Sequence, residues 1–230
     1  MAPRSSRPRP ILCAVLDAAA LGTNPTDAAL ALFRAGVDWI QLRDRSLGAN
    51  ALLRLVGALV EARDLAGRSA ADPYRVIVNR RIDIVISAAA DGAHLGFDAL
   101  APTTAARLLP KNALIGVSLH SVQEVESLTE NARDHGQACA RLYAHLAPIW
   151  DPLSKAVSRP ALGLDELARA CTLGPRILAQ GGLDPARAAQ AVGAGAAGIA
   201  VTGILAGSGN PILAAGQLRD ALDGQIRLEG

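Results

Sequence analysis

Aromatic side chains are scarce: two Trp, two Tyr and two Phe among 230 residues. With half of the residues hydrophobic, the core has to be built from Ala, Leu, Val and Ile, and the length suits one α/β domain. Cysteine is sparse as well. Cys13, Cys139 and Cys171 are odd in number and show no metal-ligand spacing, so buried thiols in a reducing cytoplasm are expected. Neither sign of charge is in excess: 23 Lys and Arg against 21 Asp and Glu leave +2, which says nothing strong about partners, and no nucleic-acid partner is expected. The first ten residues gather Arg4, Arg7 and Arg9 among prolines and serines. They read as a short disordered basic tail, or else as an arm for nucleic acid or a membrane, and they lack the apolar stretch of a secretory signal. Ala188 to Leu218 carries no charge, but glycines and Asn210-Pro211 interrupt it, so no membrane span is expected.

What is abundant is a repeat of apolar run, polar or glycine break, and helix. It is clearest in Pro175 to Leu205. Arg176 to Ala179 is a short strand that breaks at Gly181-Gly182. Asp184 then caps a helix with Pro185 at its first position, and Gly193 and Gly195 stop it. Gly198 to Val201 is a second strand ending at Thr202-Gly203. A period of about 20 residues fits a tight parallel βαβ unit. Further strands are expected at Ile11 to Leu16, Val37 to Leu42, Tyr74 to Val78, Gly92 to Leu95, Leu114 to Val117 and Ala140 to Leu146. Helices are expected at Pro25 to Gly36, Ala49 to Gly67, Ile82 to Ala90, Pro102 to Leu109, Val122 to Asp134, Gly163 to Cys171 and Ile212 to Leu222. Eight strands alternating with eight helices predict a small single (β/α)8 TIM barrel over residues 11–225. A doubly wound open sheet is the alternative, but it leaves unexplained why polar residues follow nearly every strand.

In a barrel those polar residues share the active-site rim. Arg43, Arg45, Asn79, Arg80, His94, Ser118, His120, Lys155, Gly182 and Thr202 fall there. Cations and amide donors converging on one rim suit a phosphorylated anion. Glycines after the last two strands offer bare amides to a phosphate, or are simply tight-turn residues. His120, in a Ser-Leu-His-Ser turn, is a candidate proton shuttle or a cap. His94 reads as structural, tucked under the site. Asp44 and Asp98 are the acidic candidates near the rim and form no evident pair for a divalent metal. No nucleophile elbow, zinc site or Walker loop is present.

From Ile11 to Leu222 the chain resembles the thiamine-phosphate synthase/TenI family. The pieces that carry the resemblance are Trp39-Ile-Gln-Leu-Arg43-Asp-Arg45, Val78-Asn79-Arg80-Arg81-Ile-Asp83, Asp91-Gly-Ala-His94-Leu-Gly96 and Gly116-Val-Ser118-Leu-His120-Ser. Pro148-Ile149 with Ser154-Lys155, Gly163-Leu164, Gly181-Gly182-Leu183 and Ala194-Gly195-Ala-Ala-Gly198 follow in family order. The resemblance implies a TIM-barrel enzyme of thiamine biosynthesis. The synthase joins hydroxymethylpyrimidine pyrophosphate to a thiazole phosphate with magnesium; the TenI branch is a metal-independent thiazole tautomerase. By this resemblance Gln41 and Arg43 line the pyrimidine and pyrophosphate region, and Arg45 stands where Lys is usual. Asn79, Ser118, Ser154 and Lys155 contact phosphate oxygens, and Gly182, Thr202 and Gly203 hold the thiazole phosphate.

This chain departs from the synthase pattern where magnesium would bind. The pattern Asn-Asp-Arg is Asn79-Arg80-Arg81 here. The second carboxylate position is Ala99 unless Asp98 replaces it, and the threonine-rich loop reads Asp151-Pro152-Leu153-Ser154-Lys155. The expected activity is therefore a TenI-like tautomerase without a metal, with His120 as general acid/base. The alternatives are a synthase in which Arg80 stands in for magnesium, and a non-catalytic binding paralogue. A cytoplasmic location follows, with a small phosphorylated thiazole, and in the synthase reading a pyrimidine pyrophosphate, as partners. A homo-oligomer is compatible with the sequence, and the long segment Ala147 to Leu162 is the expected lid.

Overall fold

Alternation along each strand divides the side chains between two cores. The computed structural model describes residues 8–67, 73–96, 99–134, 141–151 and 159–228. The strands are β1 (Ile11–Leu16), β2 (Trp39–Leu42), β3 (Arg75–Asn79), β4 (Gly92–Leu95), β5 (Leu114–Leu119), β6 (Leu142–Leu146), β7 (Arg176–Gln180) and β8 (Gly198–Val201). All pair in parallel in chain order, and β8 closes on β1 with Gly198 opposite Ile11, so the sheet is a closed eight-stranded barrel. Leu12, Ala14, Ile40, Val76, Ile115 and Ala144 face outward and form one apolar cluster with the helices. Cys13, Val15, Trp39, Ile77, Leu114, Tyr143, Leu178 and Ala200 face inward and fill the lumen. A period of two turns one sequence into two surfaces, as a barrel strand requires.

The helices are α1 (Ala18–Leu21), α2 (Pro25–Arg34), α3 (Ala49–Ala66), α4 (Ile82–Ser87), α5 (Pro102–Leu108), α6 (Val122–Asp134), α7 (Gly163–Cys171), α8 (Pro185–Gly193), α9 (Gly203–Ala206) and α10 (Pro211–Leu228). Long helices dock through helical spacing: α3 buries Leu52, Val56, Leu59 and Ala62 along one stripe. Truncating a fully buried side chain there, as in Leu59→Ala, costs about 2–5 kcal/mol. Caps fall where the residue types place them. Asp184 accepts the Arg187 amide at 2.8 Å ahead of Pro185, and Asn24 caps α2 ahead of Pro25.

The (β/α)8 expectation holds, with two short helices added. α1 and α9 are single turns of four residues, too short to show a periodicity. β2 begins at Trp39 rather than Val37. Asp38 lies just before it and is 4% exposed, and its carboxylate gathers three groups. Oδ2 accepts the Leu12 amide at 2.7 Å and Arg219 at 3.1 Å, while Oδ1 accepts Arg9 at 2.8 Å. Arg219, on α10, also donates to the Pro10 carbonyl at 2.9 Å. Gly36, at φ +103°, leaves the space that the Arg219 stem occupies. Arg9 belongs to the stretch expected as a disordered tail, yet this residue is fixed to the barrel; residues 1–7 lie outside the described residues. β3 starts at Arg75 because Tyr74 turns outward, stacks on Phe33 at 4.6 Å and donates its hydroxyl to the Phe33 carbonyl. No helix among the described residues is long and apolar enough to cross a membrane.

Candidate active site

The lumen changes character along its axis. Its lower part is the apolar inward cluster, floored by Trp39 with the Arg176 guanidinium 5.5 Å from its ring centroid. Its upper layer is polar: Gln41 on β2, Asn79 on β3, His94 on β4, Ser118 on β5, His145 on β6 and Gln180 on β7. Sheet register puts Asn79 beside His94 and Ser118 beside His145. Gln41 Nε2 donates to Asn79 Oδ1 at 3.3 Å, and Gln41 Oε1 is buried without a partner among the described residues.

His94 is 2% exposed. Its Nδ1 lies 3.2 Å from the Tyr143 hydroxyl and its Nε2 lies 2.9 Å from Ser118 Oγ. The His145 ring is 4.2 Å from that of His94. Burial, then His145, then Arg43 hold the His94 imidazole well below its ordinary pKa. Burial pushes His145 down to about 3, against a hydrogen bond with Gln180 that raises it. Both rings are therefore neutral at physiological pH. The sequence reading of His94 as a structural ring under the site agrees with this placement. It missed Tyr143, His145 and Gln180, although Tyr143 and His145 are two apart on β6, the spacing that puts both on the lumen side.

Above this layer the chain presents cations. Arg43 and Arg45 follow β2, and Arg80 follows β3. Burial, then Arg45 and Arg80, lower the Arg43 pKa, so the Arg43 guanidinium lies within electrostatic reach of both neighbours. Arg80 adopts φ 67°, an uncommon backbone for a residue with a side chain. Its amide donates to the His94 carbonyl at 2.8 Å. Asp44, between the two β2 arginines, is no metal ligand here. Oδ1 accepts the Ser46 hydroxyl and the Ser46 and Leu47 amides, and Oδ2 accepts the Ala18 amide. Those bonds, the Ser46 hydroxyl first, bring its pKa down to about 2.

His120 stands just beyond β5. Its ring Nδ1 is 2.7 Å from the Ala147 carbonyl, and its amide donates to Glu124 Oε2 at 2.6 Å. A carbonyl only accepts, so Nδ1 carries the proton and the neutral ring keeps its lone pair on Nε2. After β7, Gly181 and Gly182 have positive φ, and a Cβ on either would strike the segment Pro148 to Asp151. Their role is thus to let that segment lie across the strand end, as well as to turn the chain. The Gly182 carbonyl accepts Arg187 at 2.6 Å. Thr202 and Gly203 are exposed at the start of α9. Ser154 and Lys155, and Asp98, lie outside the described residues. Both ends of the expected lid are tied down: Ile149 donates to the Gln180 carbonyl and Gly163 to the Ile149 carbonyl.

Residues 12–205 match the family model described as thiamine monophosphate synthase. The chain belongs to the thiamine-phosphate synthase/TenI family. Its members act in thiamine biosynthesis, and this chain is an enzyme of that family. The thiamine-phosphate synthase of Methanoculleus marisnigri is 36% identical over 203 residues, covering 87% of this chain and 89% of that one. That of Roseiflexus castenholzii is 32% identical over 216 residues, covering 92% and 88%. In fold, the thiamine phosphate pyrophosphorylase of Pyrococcus furiosus superposes with a TM-score of 0.76 at 19% identity, over 94% of this chain and 96% of that one.

The thiamine-phosphate synthase/TenI family implies magnesium for its synthase branch. The described rim does not fit it. Arg43 there lies within electrostatic reach of Arg45 and Arg80, and no three His, Cys, Asp or Glu side chains gather among the described residues. A divalent cation wants hard anionic oxygens, and neighbouring arginines repel it.

Proposed function

We propose that this enzyme is a thiamine-phosphate synthase that handles the pyrophosphate with arginines. The observation that carries the reading is the placement of Arg43 and Arg45 after β2 and Arg80 after β3, with Arg43 in electrostatic reach of both others, beyond the Gln41–Asn79 pair. The synthase relatives, each more than 30% identical, favour this activity over the tautomerase expected from the missing carboxylates. In the reaction the thiazole nitrogen attacks the pyrimidine methylene. The C–O bond to pyrophosphate breaks, and its electron pair leaves with the pyrophosphate. Negative charge builds on the leaving oxygens, where fixed guanidiniums stabilise it with little reorganisation. Arg43, Arg45 and Arg80 take that role, Gln41 and Asn79 orient the pyrimidine end, and Ser118 donates to a phosphoryl oxygen. Gly182, Thr202 and Gly203 face the thiazole phosphate; Ser154 and Lys155 complete the anion grip. The enzyme works in the cytoplasm.

The deciding experiment mixes the protein with hydroxymethylpyrimidine pyrophosphate and thiazole phosphate, in magnesium and in EDTA, and follows thiamine phosphate. Product in EDTA is the expected result. Product only with magnesium overturns the arginine role, and no product in either overturns the synthase.

The second reading, a TenI-like tautomerase, is favoured by one observation: the His120–Ala147 hydrogen bond, which leaves Nε2 as a base. It expects proton transfer on the non-aromatic thiazole carboxylate phosphate, lost in His120→Ala while ligand binding persists.

A further inference from the structure

We propose that Tyr143, His94 and Ser118 form a one-way hydrogen-bond chain that fixes the Ser118 hydroxyl as a donor to an acceptor oxygen at the mouth. Tyr143 and His94 are positioning residues that act through Ser118. That the oxygen belongs to a pyrophosphate rests on the synthase reading; the direction of the chain does not.

The direction follows from counting protons in a sealed place. Tyr143 is fully buried, and its hydroxyl has one partner among the described residues, His94 Nδ1 at 3.2 Å. A buried phenol proton needs an acceptor. If Nδ1 held the ring proton, the phenol would have to accept it, and its own proton would be left without a partner. Nδ1 therefore carries the lone pair. A neutral imidazole then has its proton on Nε2, and that N–H donates to Ser118 Oγ at 2.9 Å. Having accepted there, the Ser118 hydroxyl must send its own proton elsewhere, and no described residue receives it. Ser118 is only half-buried at the end of β5, so its free direction is the mouth.

The surroundings hold the chain in register. Gly116 lies opposite Tyr143, and a Cβ at Gly116 would overlap both the phenol and the His94 ring. The His145 ring lies tilted against that of His94, its own Nε2 is buried with no partner among the described residues, and it bonds neither His94 nitrogen. The resulting mouth matches ligand oxygens that only accept, such as phosphoryl oxygens, and mismatches an amine at this place.

The test has two parts. Ring nitrogen-15 spectra of His94 in the full, ligand-free chain report the tautomer, with His94→Gln for assignment. The expected pattern is a protonated Nε2 and a bare Nδ1, unchanged from about pH 5.5 to 8. A protonated Nδ1 overturns the chain. Calorimetry with inorganic pyrophosphate then reads the coupling. His94→Leu and Ser118→Ala are each expected to weaken binding about tenfold, and the double variant no more than either alone. His94→Gln keeps an N–H near the Nε2 position and is expected to recover most of the affinity. Losses that add in the double variant overturn the coupling. Pyrophosphate bound equally by the unchanged protein and Ser118→Ala removes it from this site, and the tautomer still decides the chain.

Discussion

Gly116 on β5 and Tyr143 on β6 stand side by side in the sheet, and the phenol occupies the volume that a side chain on Gly116 would take. This pairing supports the whole polar layer, because the Tyr143 hydroxyl in turn meets His94. Gly116→Ala is therefore expected to cost about 1–3 kcal/mol by overpacking. It is also expected to weaken anion binding, since Tyr143 has to move. Urea unfolding and pyrophosphate calorimetry check both; an unchanged midpoint with unchanged affinity contradicts the packing argument.

The clasp at Asp38 gives a second prediction. Arg219 and Asp38 are 5% and 4% exposed, and removing the acid leaves the buried Arg219 guanidinium with the part-exposed Asp223, at 2.6 Å, as its remaining carboxylate. Asp38→Ala is expected to lose about 1–3 kcal/mol, because the Leu12 amide loses its buried acceptor and Arg219 keeps Asp223 alone. Asp38→Leu with Arg219→Met, which removes both charges, is expected to be less harmful than Asp38→Ala alone. Thermal unfolding of the three proteins settles the order.

Buried neutral histidines make the fold acid-sensitive. His145 titrates at about 3 in the folded chain and near 6.5 when unfolded. The sign follows: its folded pKa is depressed, so the unfolded chain takes up the proton first. Its contribution is complete above about pH 6.5 and is lost as pH falls toward 3. His94 acts in the same direction. Each is expected to add up to about 1.4 kcal/mol per pH unit to the slope of unfolding free energy below pH 6.5. His145→Leu, measured by urea unfolding at several pH values, is expected to flatten that slope.

Asp44 acts through a carboxylate held low. Its pKa of about 2 lies below the unfolded value of about 3.9. Its support for the turn after β2 is therefore full above about pH 4 and disappears as pH falls toward 2. Amide exchange at Ser46 and Leu47 is expected to speed up in that window and to be fast at all pH values in Asp44→Ala. Exchange that ignores the substitution contradicts the turn-holding role.

Arg80 is held in the left-handed region, at φ 67°. Elsewhere Ala stabilises over Gly by about 0.5–1 kcal/mol; here Arg80→Gly is expected to be at least as stable as Arg80→Ala. Both are expected to weaken pyrophosphate binding about equally, because both remove the guanidinium. A clear stability advantage for Ala contradicts the backbone reading.

The barrel was legible because its repeat is written twice, once in apolar runs and once in the breaks that follow them. Arg43, Asn79, Arg80, Ser118 and His120 could be placed at strand ends for the same reason. What escaped the sequence has physical causes. α1 and α9 are one turn each, with no period to detect. Asp38 sits between Val37 and Trp39 and looks like an interruption in a strand, but its partners come from residues 9, 12 and 219, far apart in the chain. Tyr143 and His145 lie in an apolar run, and only the pairing of β4, β5 and β6 brings them against His94. Asp44 looked like a possible ligand, and its bonds to nearby Ser46 and Leu47 and to Ala18, 26 residues away, absorb it instead. The activity ran the other way: the missing carboxylates pointed to the tautomerase, whereas the relatives are synthases.

Each strand sends alternate residues to two different places, one against the helices and one into the lumen. Inheritance along a strand is thereby split. Ile115 and Val117 answer to the helices around them, while Ser118 and its lumen neighbours answer to whatever occupies the mouth. A lineage carrying this barrel can trade one metabolite for another by drift at every second position, while the intervening positions keep the architecture that its descendants share.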